Sequence, residues 1–345
     1  MQPTHPPIVK PIKESKRFWR LFAVYGLVCL CVALFSNVSW KSDSMTYYRF
    51  AKEALAAGSG FPNANAIYNS CISAPVLINI LIITLKIFQT PTSLLVLAVG
   101  FNLVQLYLIY RLTERFFGTK AAWIASLLYV LYLNNLGLVL LNYTELPFGC
   151  FALASLYFFT AKPRPIHFYL AGITTGLALG IRPTIVPMIG IYVLWIGINF
   201  WKNRNFQLLQ YGAVLLLGVC TYVVPMGLYS KHNTGHFIYT STTGPENLAM
   251  SSFDGATGVY NNTPFKQEAY LSKKTFIEKN TYLNERSFEW IKKHPIRWIS
   301  FWPRKFKTTF TTDDIAIWQL LGGKWTLNQW QADRKLPANK QLFTQ

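Results

Sequence analysis

Acidic side chains are scarce enough in this sequence to be weighed one at a time: 14 Asp and Glu against 33 Lys and Arg, a formal charge of +19. Asp43 lies just beyond the first long apolar run and heads the helix-like stretch Ser44 to Ala57. An Asp there either caps a helix by accepting a backbone N–H or, at the mouth of an apolar region, takes a hydroxyl proton as general base. Glu145 opens another apolar run in Asn142-Tyr143-Thr144-Glu145-Leu146-Pro147. It suits a helix N-terminus, and it also stands where a substrate hydroxyl could reach it. Arg182 closes a third run as Gly180-Ile181-Arg182-Pro183. A planar guanidinium pairs well with phosphate, while an Arg at a helix end also snorkels to an interface. Lys86 has the same two readings.

Other chemistries find no constellation. There is no Gly-x-Ser-x-Gly, phosphate loop or His-rich ligand set. The five His residues are dispersed, and Asn233 and Gly235 between His232 and His236 argue against a helix that would bring those two together. The five cysteines lie in or beside apolar runs with no CxxC pair, so they read as small hydrophobes and not as a zinc site.

The elements that must position these residues are membrane helices. Of 345 residues, 52% are hydrophobic and only 14% charged, against about 25% charged in soluble domains. The apolar residues gather into runs such as Phe22 to Phe35, Leu94 to Ile109 and Ala213 to Tyr229, each near the roughly 20 residues that cross a bilayer. The fold class is therefore mainly α: a polytopic membrane protein with about seven transmembrane helices. The basic excess then reads as cytoplasmic Lys and Arg together with attraction to anionic lipid. Nucleic acid is not an expected partner, because no recognised binding motif accompanies the charge.

Seven spans fit near residues 20–38, 93–111, 121–138, 146–161, 167–181, 184–201 and 208–229. Lys10, Lys13, Lys16, Arg17 and Arg20 precede the first, which reads as a retained helix with a cytoplasmic segment, 1–19, before it. Residues 72–88 are apolar but short, with Pro75, Asn79 and Lys86 inside. Leaving them out places Arg111, Arg115 and Lys120, then Lys162 and Arg164, then Lys202 and Arg204, all on the cytoplasmic side. Residues 39–91 then form a first external loop with amphipathic helices lying on the membrane surface. The transmembrane module covers 20–230, and 231–345 is expected to be an external, α-rich C-terminal domain. Aromatic and basic residues interleave from Arg297 to Lys307, as at a lipid headgroup interface. Gly172, Gly176 and Gly180 make two GxxxG steps that allow close helix packing. Asp313-Asp314 reads as solvated loop or helix cap.

With these elements in place, the sequence resembles the GT-C glycosyltransferases, which include protein O-mannosyltransferases and the aminoarabinose transferases of lipid A. The likeness lies in Ser42-Asp43 with Tyr47-Tyr48, running to Gly58 and Gly60-Phe61-Pro62; in Thr144-Glu145; and in Gly176 through Arg182-Pro183. It continues in Gly244-Pro-Glu-Asn247-Leu248 with Gly255-Ala-Thr-Gly258-Val-Tyr260, and in Asn284-Glu285-Arg286 followed by Trp290 and His294-Pro295. Many relatives continue into further spans, where this sequence stops, which implies either truncation or a compact seven-helix version.

The resemblance implies a hexosyl- or pentosyltransferase using a polyprenyl-phosphate sugar donor, with a glycan, lipid or protein acceptor. It implies that Asp43 is the catalytic base and that Glu145 binds the acceptor or assists Asp43. It makes Arg182, then Lys86, the donor-phosphate residues, and it places Tyr47, Asn142 and Asn247 at the substrate. The implied step is a single inverting displacement at the anomeric carbon. No metal site is expected: Asp43 has no acidic neighbour forming an Asp-x-Asp pair, so a divalent cation has no support in the sequence. The location implied is a bacterial inner membrane, with the site facing the periplasm. The rival classes are a lipid-linked saccharide transporter or flippase, which would bury charges at mid-membrane, and a non-catalytic envelope-assembly subunit.

Overall fold

The computed structural model describes residues 16–36, 40, 42–58, 74–258, 261–311 and 315–320. Lys10 and Lys13, the turn through Gly60-Phe61-Pro62, Cys71, Tyr260 and Asp313-Asp314 lie outside the described residues. Every described element is a helix, as the membrane reading requires, since a helix satisfies its own backbone where no water can. Among the described residues, four helices are long and apolar enough to span a bilayer: Lys16–Phe35, Thr92–Leu131, Pro183–Asn203 and Phe206–His232. A fifth is counted if residues 133–140 and 145–159 form one broken span.

The chain divides into two compact units. The first holds α1 (Lys16–Phe35), α4 (Thr92–Leu131), α5 (Leu133–Gly137) and α15 (Ile315–Leu320). Phe18 stacks on Tyr110 at 3.9 Å between ring centroids. Asn102, fully buried, bonds to the Tyr25 hydroxyl (3.2 Å), the Asn135 carbonyl (2.8 Å) and the Tyr129 hydroxyl (2.7 Å). One buried amide thus ties α1 to both ends of the following helical stretch.

Two of the expected spans differ here from their sequence boundaries. The segments near 93–111 and 121–138 are joined without a loop, through a break at Gly118 (φ 84°, ψ 172°) that only glycine adopts easily. The second does not run on to 138: α4 ends at Leu131, and Tyr132 is extended. The cause is local. The Asn135 side chain donates to the Tyr129 carbonyl (2.9 Å), occupying an acceptor that a continuing helix would use.

The second unit holds α2 (Ser42–Ala56), α3 (Pro75–Phe88), α6 (Glu145–Phe159), α7 (Pro165–Ile181), α8 (Val186–Asn203), α9 (Phe206–Thr234) and the helices that follow. Those are α10 (Gly244–Ala249), α11 (Glu268–Leu271), α12 (Phe276–Lys293), α13 (Pro295–Ser300) and α14 (Trp302–Thr311). The GxxxG steps work as expected. A Cβ on Gly172 would lie 2.0 Å from the Leu215 carbonyl, and one on Gly218 2.4 Å from the Tyr169 carbonyl, so α7 and α9 touch backbone to backbone. Ser155, Thr175 and Tyr192 join α6, α7 and α8 through buried hydroxyls at 2.6 and 3.0 Å, a polar tie of the kind membrane bundles use.

α3 is the segment expected to rest on the membrane surface. It forms a helix, with Pro75 in its first turn, but eight of its 14 residues are buried against the protein. It packs on α2 and α7, and Val76 faces Gly180 so closely that a Cβ there would come within 2.4 Å. α9 also runs further than the sequence suggests, through Asn233 to Thr234, and ends at Gly235 with φ 75°.

Phe237, Ile238, Tyr239, Thr240 and Phe276 pack onto the ends of α7 and α9. Met226 meets Phe276, the Tyr222 hydroxyl donates to the Tyr239 carbonyl (2.9 Å), and the Thr240 hydroxyl donates to the Leu179 carbonyl (2.5 Å). The last bond satisfies a carbonyl that the end of α7 leaves open. Around α12, Asp254 accepts from the Trp290 indole (2.8 Å), and its carbonyl accepts from Arg297 (2.8 Å). Ile296, Ile299, Trp302 and Phe306 stay exposed among Arg297, Arg304 and Lys305, consistent with the interfacial reading of that segment.

Candidate functional site

Two helix ends build the centre of the site. α7 stops at Ile181 because Pro183 disfavours the helical conformation for the residue before it. Arg182 is accordingly extended (φ −143°, ψ 129°), though its N–H still reaches the Ala178 carbonyl (2.8 Å). Its side chain turns to the start of α6. There Glu145 is the first helical residue, where a carboxylate is favoured by the helix dipole.

The two charges meet. Arg182 Nη2 donates to Glu145 Oε1, and Arg182 Nε donates to Thr144 Oγ1 at 2.6 Å. Thr144 stands at the N-cap of α6 without capping it; its hydroxyl is engaged by the guanidinium instead. The Thr144 hydroxyl also lies 3.5 Å from Glu145 Oε2. Thr144 is 4% exposed, whereas the side chains of Arg182 and Glu145 are 40% and 39% exposed. The pair is rooted on a buried hydroxyl and opens to the outside.

Asp43 belongs to the same neighbourhood. It lies in the first turn of α2 and is exposed. Tyr143 connects it to Glu145: burial raises the phenol pKa, and the charges of Asp43 and Glu145 push it further in the same direction, against a smaller opposing effect of the Ser44 hydroxyl. Both carboxylates therefore disfavour the phenolate of one ring.

The remaining expected residues divide. Tyr47 follows Asp43 by one helical turn and is 7% exposed. Asn142 is also 7% exposed, and its Nδ2 finds no acceptor among the described residues. A buried donor of this kind is uncommon. Lys86 is exposed in the last turn of α3. Val76, ten residues earlier on that helix, is the one that faces Gly180; at 1.5 Å per residue Lys86 stands about 15 Å further along. Asn247 is exposed on α10 and bonds through its backbone to Thr243 (3.1 Å), with no bond to Asp43, Glu145 or Arg182. The structure brings Arg182 against Glu145, and Asp43 acts electrostatically on the Tyr143 next to Glu145; no hydrogen bond joins Lys86, Asn142 or Asn247 to these residues among the described ones. Thr144 and Tyr143, which the sequence reading quoted without assigning them roles, belong with the Arg182–Glu145 pair. Their only sequence signal was adjacency to Glu145. Among the described residues no group of three or more His, Cys, Asp or Glu side chains is placed to hold a metal ion.

Residues 73–226 match the model of the dolichyl-phosphate-mannose-protein mannosyltransferase family. The match is to a GT-C-type membrane glycosyltransferase. It covers just under half of the chain and includes Glu145, Arg182 and the packed α6 to α9 core. Asp43 and α2 precede it. No curated protein and no solved structure matches. The match agrees with the family resemblance seen in the sequence and with the apolar helices of a multi-pass membrane protein.

Proposed function

We propose that this GT-C-type protein transfers a sugar from a polyprenyl-phosphate carrier to an acceptor hydroxyl at the external face of the membrane. The observation that supports this best is the meeting of Arg182 with Thr144 and Glu145 at two helix ends, beside a ring on which Asp43 also acts. A fixed guanidinium is suited to a phosphate, and an exposed carboxylate nearby is suited to a proton. In this reading the chain crosses the membrane seven times, near the spans given above, with α2 and residues 231–345 outside. The site faces the periplasm of a bacterial inner membrane.

Asp43 takes the proton of the acceptor hydroxyl as its oxygen bonds to the anomeric carbon. The bond from that carbon to the phosphate oxygen breaks at the same time, and polyprenyl phosphate leaves with the electron pair. Arg182 stabilises the charge on the departing phosphate. The leaving group is an anion that needs no added proton, so the site works without a general acid. A single displacement inverts the anomeric configuration. Asn142 offers its buried Nδ2 to the bound sugar or phosphate. Membrane lipid surrounds the donor's polyprenyl chain.

The test is a transfer assay in lipid, with a panel of labelled polyprenyl-phosphate sugars and an envelope extract, comparing wild type with Asp43→Asn. Transfer by wild type, lost in a variant with unchanged thermal unfolding, supports the reading. Donor bound but never transferred points to a transporter. Equal transfer by both proteins removes Asp43 from the mechanism.

A further inference from the structure

A guanidinium has two faces for paired hydrogen bonding. Nε–H and one Nη2–H form the side-on edge; the second Nη2–H and one Nη1–H form the end-on edge. Thr144 and Glu145 accept from Nε and Nη2 of Arg182, the two nitrogens of the side-on edge. No hydrogen bond from Arg182 Nη1 to a described residue is present, and the side chain is 40% exposed. Nη1, and with it the end-on edge, is thus left for an incoming ligand, two parallel N–H groups in the spacing that receives two oxygens of one anion.

We propose that Thr144 and Glu145 are positioning residues on the donor side, which clamp Arg182 so that its end-on edge receives the phosphate of a polyprenyl carrier. This rests on the proposed function, and it moves Glu145 from the acceptor to the donor. Three observations converge on it. The Thr144 hydroxyl is buried and has given up its helix-capping role for the guanidinium. Glu145 is bonded to Arg182 and so is not a free base. The Arg182 backbone is fixed on both sides, by the Ala178 carbonyl and by Pro183. A free arginine at a helix end samples many rotamers, whereas this one starts in one orientation and loses less entropy on binding.

The clamp makes a distinctive demand on each position. Thr144 must supply an acceptor oxygen, so Thr144→Ser retains function and Thr144→Val, of nearly equal shape, does not. Glu145→Gln keeps an acceptor but loses the charge that holds the guanidinium. Binding of undecaprenyl phosphate to the full chain in detergent, by native mass spectrometry, reads the clamp without any transfer step. The expected result is affinity roughly tenfold weaker in Thr144→Val and Glu145→Gln, the scale of one charge-assisted hydrogen bond, with Thr144→Ser near wild type. In the transfer assay, KM for the donor rises in the same two variants while KM for the acceptor stays put. A rise in acceptor KM with unchanged carrier binding overturns the clamp and returns Glu145 to the acceptor.

Variants that unfold are recognised by thermal unfolding and replaced by Thr144→Ala and Glu145→Asp, for which the same weaker carrier binding is expected. The two proposals fail separately. Carrier binding that depends on Thr144, with no transfer from any donor, retains the clamp and sinks the transferase. Transfer with carrier binding indifferent to Thr144 and Glu145, or no carrier binding at all, sinks the clamp.

Discussion

Arg182 and Glu145, 37 positions apart in sequence, form one ion pair at the junction of two helix ends, with Thr144 bonded beneath it. The arrangement is specific to arginine. A lysine at 182 would bring the charge but only a point donor, unable to hold both Thr144 and Glu145 and still offer a paired edge outward. Arg182→Lys is therefore expected to lose donor affinity about tenfold, nearly as much as Arg182→Ala, because the loss is of geometry more than of charge. The check is donor KM in the transfer assay for both variants. Full activity in Arg182→Lys would show that charge alone suffices.

The α7–α9 contact yields a prediction about stability. A Cβ at Gly172 collides with the Leu215 carbonyl at 2.0 Å, and the neighbour is backbone that has no rotamer to change. Gly172→Ala should cost about 1–3 kcal/mol, the usual scale of overpacking, and lower the thermal unfolding temperature in detergent. Gly190→Ala on α8 is the control, because nothing lies within 4 Å of its Cβ. It is expected to be neutral or slightly stabilising. Equal destabilisation by both substitutions would mean that the close approach of Leu215 does not govern the effect.

Near the membrane module, α12 opens with a reciprocal cap. The Thr275 hydroxyl accepts from the Glu278 N–H (3.2 Å), and the Glu278 carboxylate accepts from the N–H groups of Lys274 (2.8 Å) and Thr275 (3.3 Å). Those backbone bonds hold the carboxyl below its ordinary value of 4.5. A lowered folded pKa stabilises above the unfolded value and loses that contribution as pH falls through the folded one. The protection factors of the amides in residues 276–279, taken relative to the intrinsic exchange rate at each pH, should fall as the medium is acidified below 4.5. In Glu278→Gln exchange should be faster at neutral pH and lose this acid dependence. A pH response unchanged in that variant would place the titrating group elsewhere.

What the sequence made legible was whatever depends on composition and near neighbours. The apolar runs announced the membrane helices, the GxxxG steps announced a close helix contact without saying that α9 is the partner, and Arg182 stood out at the end of α7. Asp43, Glu145 and Arg182 were recognisable as residue types at helix ends. The pairing of Arg182 with Glu145 was not, because nothing local records a contact across 37 positions. Thr144 went unassigned for a related reason: a threonine before a helix reads as a cap, and only the arriving guanidinium shows that its hydroxyl is taken. Lys86 lies ten residues, about 15 Å of helix, beyond Val76, the α3 residue that faces Gly180. The span expected at 121–138 breaks at Tyr132 through a side-chain bond from Asn135 that hydropathy does not register.

Tyr143 offers a test of whether Asp43 truly stands at this site, independent of any substrate. Burial raises the phenol pKa first, and the charges of Asp43 and Glu145 raise it further. A raised phenol pKa means that the folded state holds its proton more tightly than the unfolded chain. Stability is therefore unaffected well below the ordinary value of 10.0 and falls as pH rises through the interval between that value and the folded one. Tyr143→Phe should flatten this alkaline loss. Removing either neighbouring charge should ease the phenolate, so Asp43→Asn and Glu145→Gln each shift the Tyr143 titration toward lower pH. The measurement is an ultraviolet difference titration, with each protein compared to its own Tyr143→Phe partner so that the other tyrosines cancel. A shift in Glu145→Gln without one in Asp43→Asn would remove Asp43 from the ring's surroundings and, with it, the case for Asp43 as the base. A shift in both would show that both carboxylates act on the phenol next to Glu145, as the proposed base requires of Asp43.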